Sequence, residues 1–166
     1  MTHMEYINTD RCTLTPTILT DCMQIAEIYT CEEARKYLGG AVPYVKAFMS
    51  LYRALSEANA YYFTVRLRDT REILGMITIA PHHNPQDTEI SYIFARKHWR
   101  NGYARECISA LLDFCGNVLK LTRVVSETQA ANVKSCRLLE GIGYKPEATF
   151  VRFGAEQVLY VYFLKH

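Results

Sequence analysis

The stretch that decides the fold reads Glu89-Ile90-Ser91-Tyr92-Ile93-Phe94 and continues, after Ala95-Arg96-Lys97, as His98-Trp99-Arg100-Asn101-Gly102-Tyr103-Ala104-Arg105. Its first half is an apolar run typical of a strand, and its second half turns at a glycine into an amphipathic helix. A strand–turn–helix leaves the N–H groups of the first helical turn without partners inside the helix. Because the helix dipole adds partial positive charge there, the sequence predicts an anion site, most often for phosphate.

Basic side chains surround this predicted corner, as a phosphate site requires: Arg96, Lys97, Arg100 and Arg105. Two common phosphate motifs are nevertheless excluded. The chain contains no GxxxxGK[ST] sequence, and no GxGxxG follows a strand. The corner therefore belongs to neither the P-loop class nor the dinucleotide-binding class.

A second group of residues lies further along the chain and reads Asn132-Val133-Lys134-Ser135, then Leu138-Leu139-Glu140-Gly141-Ile142-Gly143-Tyr144. The run Trp99-x-x-Gly102-x-Ala104 resembles the pyrophosphate loop of the GNAT superfamily of N-acetyltransferases. The second group resembles that family's second signature, in the expected order. The opening from Arg11 to Pro16 and the tail from Phe153 to Tyr160 resemble its ribosomal-protein-alanine N-acetyltransferase branch.

The resemblance implies that acetyl-CoA is a co-substrate. Its diphosphate would lie against the loop Arg100, Asn101, Gly102, Tyr103, Ala104 and Arg105. Asn132 matches the family's CoA-contacting asparagine near the thioester, and its position also suits a helix N-cap, so both roles can hold together. No metal is expected, because His82 and His83 have no third ligand near them in the sequence.

Two residues are candidates for proton transfer. Glu89 starts the strand where related acetyltransferases place a catalytic glutamate, and the alternative is a strand-end carboxylate paired with a cation. Ser135 matches a position near the CoA sulfur, and the alternative is a surface serine of a helix. Many family members carry a tyrosine acid one turn further on, where this chain has Leu139. A tyrosine-acid mechanism at that position is therefore not expected.

Bulk properties limit the class of protein. The 166 residues are 49% hydrophobic and carry a net charge of +2, which indicates a globular chain and argues against nucleic-acid binding driven by overall charge. The six cysteines form no CxxC pair and suit buried thiols in a reducing compartment. With no signal peptide and no long apolar run, we expect a cytoplasmic protein without membrane contact.

Hydrophobic periodicity predicts the order β, helices, β-β-β, α, β, α, β-β over a single domain, residues 1–166. This is an α/β (α+β) arrangement. The resemblance implies the GNAT version, a mixed, mostly antiparallel sheet of about seven strands flanked by about four helices. The helix that starts at Pro43 is expected to bury one apolar face: Val45, Phe48, Met49, Tyr52 and Leu55.

The resemblance and these residues together predict an N-acetyltransferase in which an amine attacks acetyl-CoA directly in a ternary complex. The acceptor is a primary amine, either a peptide N-terminus or a small molecule, and a homodimer is left open. The alternative is a catalytically degenerate GNAT domain that binds acyl-CoA as a sensor or interaction module. Glu89 and Ser135 favour the enzyme, and Leu139 favours the sensor. An α/β domain unrelated to CoA is a third alternative.

Overall fold

One sheet forms the centre of the computed structural model, which describes residues 6–165. Its strands within those residues are β1 (Ile7–Asn8), β2 (Cys12–Pro16), β3 (Tyr61–Leu67), β4 (Ile73–Pro81), β5 (Thr88–Phe94), β6 (Arg123–Gln129), β7 (Lys145–Arg152) and β8 (Ala155–Phe163). The helices are α1 (Leu19–Tyr29), α2 (Glu32–Arg35), α3 (Tyr44–Ala54), α4 (Tyr103–Asn117) and α5 (Val133–Ile142), with a short 3₁₀ turn at Arg96–His98.

The strands lie in the order β1-β2-β3-β4-β5-β6-β8-β7, and all neighbours are antiparallel except β5 and β6. This confirms the predicted mixed, mostly antiparallel sheet with helices on its faces. The described residues contain eight strands and five helices, against about seven and about four expected. The additional strand is the two-residue β1, which is too short to produce a periodic sequence pattern. The four-residue α2 agrees with the short helix that the sequence predicts ahead of Gly39 and Gly40.

The two faces of the sheet carry separate hydrophobic clusters. One cluster contains Phe63, Ile77 and Ile90 and packs under α4 and α5, with Leu111 and Leu139 contributed by those helices. The other packs under α1 and α3 and includes Ile25, Leu51, Met76 and Ile93. Since successive side chains of a strand point to opposite faces, Ile90 and Tyr92 face α4 and α5, whereas Glu89 and Ser91 face the α1–α3 side.

The start of α1 lies earlier than its sequence signal. Thr20-Asp21 before the apolar helical run is a capping signal that predicts a start after these residues. In the structure Ile18 occupies the N-cap position and donates its N–H to Asp21 Oδ2 at 3.2 Å. Asp21 is buried and also accepts a hydrogen bond from Thr64 Oγ1 at 2.9 Å and forms an ion pair with Arg66. The aspartate therefore ties the first turn of α1 to β3.

The predicted buried face of α3 is wrong in part. Ala47 and Leu51 are the buried residues of this helix, while Val45, Met49 and Tyr52 are exposed. Every turn of the helix carries apolar residues on more than one side, so periodicity alone could not choose the face. The contact with α1 decides it.

The sheet is weakly joined at its one parallel neighbour pair. Among the described residues a single Cα pair, Glu89 with Val125, joins β5 to β6, whereas seven pairs join β4 to β5. Beyond Glu89 the two strands diverge, although the Ser126 hydroxyl still donates to the Ile90 carbonyl at 2.8 Å. We call this divergence, between residues 89–94 and 123–129, the seam. It interrupts the backbone pairing in the middle of the sheet.

The cysteines are mostly core residues, as expected. Cys12, Cys22, Cys107 and Cys115 are fully buried, and Cys31 and Cys136 are partly buried. None of the helices within residues 6–165 combines the length and the apolar character needed to cross a membrane.

Candidate active site

The predicted anion corner forms where β5 ends. Trp99 folds back and donates its indole N–H to the Phe94 carbonyl at 2.9 Å, which fixes the path of the chain after the strand. Gly102 then serves as the N-cap of α4 with φ of +78°, a left-handed conformation that glycine adopts without strain. No side chain of the described residues caps this helix, so the N–H groups of its first turn stay open to a ligand.

The cations around this corner are not all available. Arg96 pairs with Glu33 at 2.7 Å and Lys97 pairs with Glu72, so both point towards the α1–α2 side. Arg105 donates to the Gly141 carbonyl at 2.9 Å and ties α4 to the end of α5. Arg100 is exposed beside Gly102 and remains the cation best placed for a phosphate.

A further cation reaches the corner from the residue before β2, and it was not recognised from the sequence as part of the corner. Arg11 donates from Nη1 to the Asn101 carbonyl at 2.8 Å, and its guanidinium lies 4.5 Å from the ring centroid of Tyr103. A Cβ atom built on Gly102 would lie 3.4 Å from Arg11 Nη2. No local signal could have identified this contact, because it joins residues about ninety positions apart.

The start of α5 approaches the same corner from the other strand of the seam. Asn132 is the N-cap, and its Oδ1 accepts the backbone N–H of Ser135 at 3.3 Å. This is the capping role that the sequence allowed, and it leaves the Asn132 amide N–H₂ free for a ligand. The ammonium group of Lys134 lies 5.3 Å from the ring centroid of Trp99, so the first turn of α5 faces the loop.

Ser135 contacts Tyr92 across the gap between α5 and β5. The two hydroxyl oxygens are 2.5 Å apart, which is a short hydrogen bond. Both side chains are only partly buried. Burial raises the pKa of Tyr92 to about 12, against a smaller opposing effect of the Ser135 hydrogen bond. Tyr92 therefore stays protonated at neutral pH.

Glu89 lies at the point where β5 and β6 begin to diverge. Its Oε1 accepts the backbone N–H of Glu127 at 3.3 Å. Burial raises the pKa of Glu89, while the neighbouring His82 and the Glu127 N–H group oppose that rise. A partly desolvated carboxylate with a raised pKa suits a general base better than an ordinary surface glutamate does.

The tip of the sheet next to Glu89 holds a polar cluster that the sequence did not predict. His82, His83 and Glu127 bring three potential metal-ligand atoms within 4.8 Å of one another. The expectation that the two histidines lack a third ligand was therefore wrong, because Glu127 comes from β6, far along the chain. A metal still does not fit the donor atoms present.

Hydrogen bonds already occupy those donor atoms. The Asn84 N–H donates to His82 Nδ1 at 3.2 Å, which leaves the His82 proton on Nε2, 2.8 Å from Glu127 Oε2. Arg152 donates to His83 Nδ1 and to Glu127 Oε2. A metal would have to displace a guanidinium and change the tautomer of a buried histidine.

Leu139 and Tyr144 belong to the core. Both are 1% exposed, so neither side chain reaches the seam. Leu139 lies where many family members have the tyrosine acid, and it supplies no proton donor. Tyr144 packs against Tyr162, with ring centroids 5.4 Å apart.

The sequence profile described as "Acetyltransferase (GNAT) domain" matches residues 11–145, most of the chain. The chain belongs to the GNAT acetyltransferase family. Among its relatives is the uncharacterized N-acetyltransferase YoaA of Bacillus subtilis, 28% identical over 158 residues, which cover 89% of this chain and 86% of that one.

Solved structures of other GNAT acetyltransferases share the fold. A GNAT-family acetyltransferase from Bacillus anthracis gives a TM-score of 0.85 at 22% identity, over 96% of this chain and 98% of that one. Spermidine N-acetyltransferase from Vibrio cholerae, in complex with CoA and spermine, gives 0.79 at 16% identity, over 93% and 96%. A candidate ribosomal-protein-serine acetyltransferase from Vibrio cholerae gives 0.76 at 22% identity, over 98% and 99%.

In this GNAT acetyltransferase the two residues expected to handle protons reach the seam from opposite faces of the sheet. Glu89 lies on the α1–α3 side, and Ser135, with Tyr92, lies on the α4–α5 side next to the anion corner. A ligand that entered from the corner and one that entered from the opposite face would meet between the diverging strands.

Proposed function

We propose that this protein transfers the acetyl group of acetyl-CoA to a primary amine by direct attack in a ternary complex. The observation that carries the proposal is the seam. It has an uncapped helix N-terminus with Gly102 on one face and the half-buried carboxylate of Glu89 on the other. Acetyl transfer needs both features, because the anionic donor and the amine must be held apart until they react.

The diphosphate of acetyl-CoA would bind the first turn of α4. Backbone N–H groups there, together with the residues of the loop, offer donors and positive charge to an anion: Arg100, Asn101, Gly102, Tyr103, Ala104 and Arg105. Arg11 holds the loop through the Asn101 carbonyl, and Asn132 would offer its amide N–H₂ to the pantetheine arm. The spermidine acetyltransferase with the same fold, solved with CoA, supports this assignment.

The reaction then needs a base and a donor. Glu89 removes the proton that the amine loses as its nitrogen attacks the thioester carbon, directly or through a water. The C–N bond forms, the C–S bond breaks, and the electron pair of that bond goes to sulfur. Ser135 would donate a hydrogen bond to the sulfur as its charge develops. The thiol of CoA leaves after it takes a proton, so atoms and charges balance.

The acceptor is a primary amine, and its class follows from the branch proposed for the chain. The terminal motifs resemble the ribosomal-protein-alanine acetyltransferases, which favours a peptide N-terminus, and the likeness to a candidate ribosomal-protein-serine acetyltransferase supports it. The likeness to the spermidine enzyme keeps a small amine as the other choice. Six free cysteines suit a reducing compartment, so we place this single-domain enzyme in the cytoplasm.

The binding part of the proposal is tested with Gly102→Val. A β-branched side chain at φ of +78° would strain the loop and obstruct the approach of the diphosphate to the backbone. We expect CoA affinity, measured by calorimetry, to fall at least about tenfold. Gly154→Val is the matched control, because Gly154 has a similar φ of +72° in the β7–β8 turn. Equal CoA affinity of a folded Gly102→Val protein and the wild type would overturn the loop assignment.

The catalytic part is tested by thiol release from acetyl-CoA with a panel of peptides and small amines. Turnover with any primary amine supports the proposal. The second candidate function is an acyl-CoA sensor, favoured by the buried Leu139 in place of a tyrosine. Tight CoA binding with no acetyl transfer to any amine and no hydrolysis of acetyl-CoA would favour the sensor.

A further inference from the structure

We infer that Tyr92 is a positioning residue for the leaving group. It donates its hydroxyl proton to Ser135 Oγ and so leaves the Ser135 hydroxyl proton to hydrogen-bond the thiolate of CoA. The inference rests on the proposed function. It assigns a hydrogen-bond donor to the leaving group in a chain that has Leu139 where many family members have a tyrosine acid. Tyr92 comes from β5 and Ser135 from α5, so the pair spans the seam at the side of the anion corner.

Geometry carries the assignment. Within residues 6–165 the hydroxyls of Tyr92 and Ser135 form one hydrogen bond, which is the 2.5 Å contact between them. A phenol is a stronger hydrogen-bond donor than an alcohol, so the favoured direction runs from Tyr92 to Ser135. With its acceptor lone pair engaged, Ser135 turns its own proton away from Tyr92. Hydrogen bonds in a chain polarise one another, which strengthens the outer one.

Ser135 is also fixed by its backbone. Asn132 Oδ1 accepts its N–H at 3.3 Å, which places the hydroxyl in the first turn of α5, where the helix dipole favours negative charge. Two contacts therefore hold Ser135: the cap holds its backbone N–H, and Tyr92 of the neighbouring strand holds its hydroxyl. A surface serine that served only helix formation would need the cap but not the contact with Tyr92.

Full proton transfer from Tyr92 is energetically unfavourable. Its pKa of about 12 is well above that of a thiol, about 8.5. The proton therefore remains on the phenol, and the sulfur receives a hydrogen bond from Ser135 without a proton moving along the chain. The thiolate is stabilised as the C–S bond breaks, and it takes its proton later from solvent or from the base.

The test is calorimetry with CoA and with desulfo-CoA, which lacks the sulfur. If Ser135 stabilises the thiolate, CoA binds more tightly than desulfo-CoA as pH rises through the thiol pKa. We expect the ratio of the two dissociation constants to change by about tenfold between about pH 7 and about pH 9.5. Two other titratable groups lie near the pair, Cys136 and Tyr144. They are retained in Ser135→Ala, so that variant separates their effect on the ratio from that of the serine.

The variants separate the roles of the two hydroxyls. Ser135→Ala should abolish the pH dependence of the ratio, Tyr92→Phe should reduce it, and the double variant should match Ser135→Ala. In turnover, Tyr92→Phe should lower kcat with little change in CoA affinity, and the two substitutions should be non-additive. Ser109→Ala and Tyr44→Phe remove hydroxyls from exposed positions of α4 and α3 and serve as controls.

Two results would overturn the inference. An unchanged ratio in Tyr92→Phe would show that Tyr92 does not orient the serine. Loss of the pH dependence in Tyr92→Phe but not in Ser135→Ala would make the tyrosine itself the donor to sulfur. Failure of the wild type to bind CoA would instead remove the proposed function, and the inference with it.

Discussion

At the scale of single residues, the surroundings of Glu89 differ from those of an ordinary surface carboxylate and suit the base proposed for it. Its Oε1 is engaged by the Glu127 N–H, and no described residue hydrogen-bonds its other oxygen. The free oxygen lies at the start of the seam, where an amine or a water can reach it. The ionisable side chains around it come from the β4–β5 loop, from β6 and from β7: His82, Glu127 and Arg152.

Glu89→Gln should lower turnover by about one to three orders of magnitude and leave CoA affinity nearly unchanged. The wild-type rate should fall as pH drops through the pKa of Glu89, because only the carboxylate accepts a proton. Since burial raises that pKa, this acidic limb should lie above the ordinary value of about 4.3.

The measurement is steady-state kinetics across pH with a validated acceptor. The variant should show a flat acidic limb, and the exposed Glu32→Gln should behave as the wild type. A wild-type rate and profile in Glu89→Gln would leave solvent or another residue as the base.

The sequence predicted the residues of the site that belong to continuous motifs. Gly102 at the start of α4 and Asn132 with Ser135 at the start of α5 could be recognised, because a turn or cap is specified within a few residues. Arg11, Tyr92 and the cluster around Glu127 could not be assigned in this way. Their partners lie forty or more residues away along the chain and are brought together by tertiary packing, which no local pattern encodes.

At the scale of elements, α3 is a helix whose orientation can be tested. Leu51→Ala should lower the free energy of unfolding by about 2–4 kcal/mol, because it leaves a cavity against α1. Met49→Ala should change it by no more than about 0.5 kcal/mol, since Met49 is 39% exposed. Urea denaturation measures both. Similar losses for the two variants would mean that the helix packs through the face predicted from the sequence.

Gly75 controls the spacing between β4 and β5. A Cβ atom at this position would lie 2.2 Å from the Ile93 carbonyl oxygen and 2.9 Å from Phe94 Cα. Gly75→Ala should therefore push β5 away and destabilise the protein by about 1–3 kcal/mol. Because β5 leads into the anion corner, CoA affinity should fall as well.

Gly141→Ala is the control for this substitution. It lies in α5, and its Cβ would meet only the end of the Arg105 side chain at 3.6 Å. Alanine is the better helix former, so this variant should be neutral or slightly stabilising by thermal unfolding. Equal behaviour of the two alanine variants would contradict the close approach at Gly75.

Helices and strands could be predicted where the sequence fits only one periodic pattern. The run from Tyr61 to Leu67 predicts a strand, and β3 covers the same residues. The β-branched run from Leu121 to Ser126 predicts a strand that starts two residues before β6 does, at Arg123. The face of α3 was not predictable, because the neighbour that covers a helix depends on the packing of the whole chain. The seam could not be predicted either, because the divergence of two strands does not change the amino-acid composition of either one.

At the scale of the whole molecule, Glu106 connects the first strands of the sheet to α4. It accepts hydrogen bonds from Thr9 Oγ1 at 2.5 Å, the Arg11 N–H at 2.8 Å and Arg11 Nε at 2.7 Å. Partial burial opposes ionisation, but these donors outweigh it and lower the pKa of Glu106.

A lowered pKa in the folded state adds stability above the ordinary carboxyl pKa, and that stability is lost as pH falls through the lowered value. Glu106→Gln should therefore cost about 1–3 kcal/mol near pH 7, and the deficit should shrink below about pH 4. Urea unfolding at several pH values measures this difference. A deficit that stayed constant with pH would show that the contacts depend on shape and not on the charge.

The seam also divides the sheet into two groups of strands that are synthesised one after the other. Strands β2 to β5 pair in succession, and each contacts the one before it, while β6 to β8 form their own antiparallel group later in the chain. A nascent chain can therefore complete the first group of strands while the last fifty or so residues are still within or near the ribosome. Until β6 arrives, β5 is an uncovered edge strand of the kind that pairs with other chains. We expect truncated chains ending before Arg123 to form insoluble aggregates that the full-length chain avoids, and solubility measured across a series of C-terminal truncations checks this.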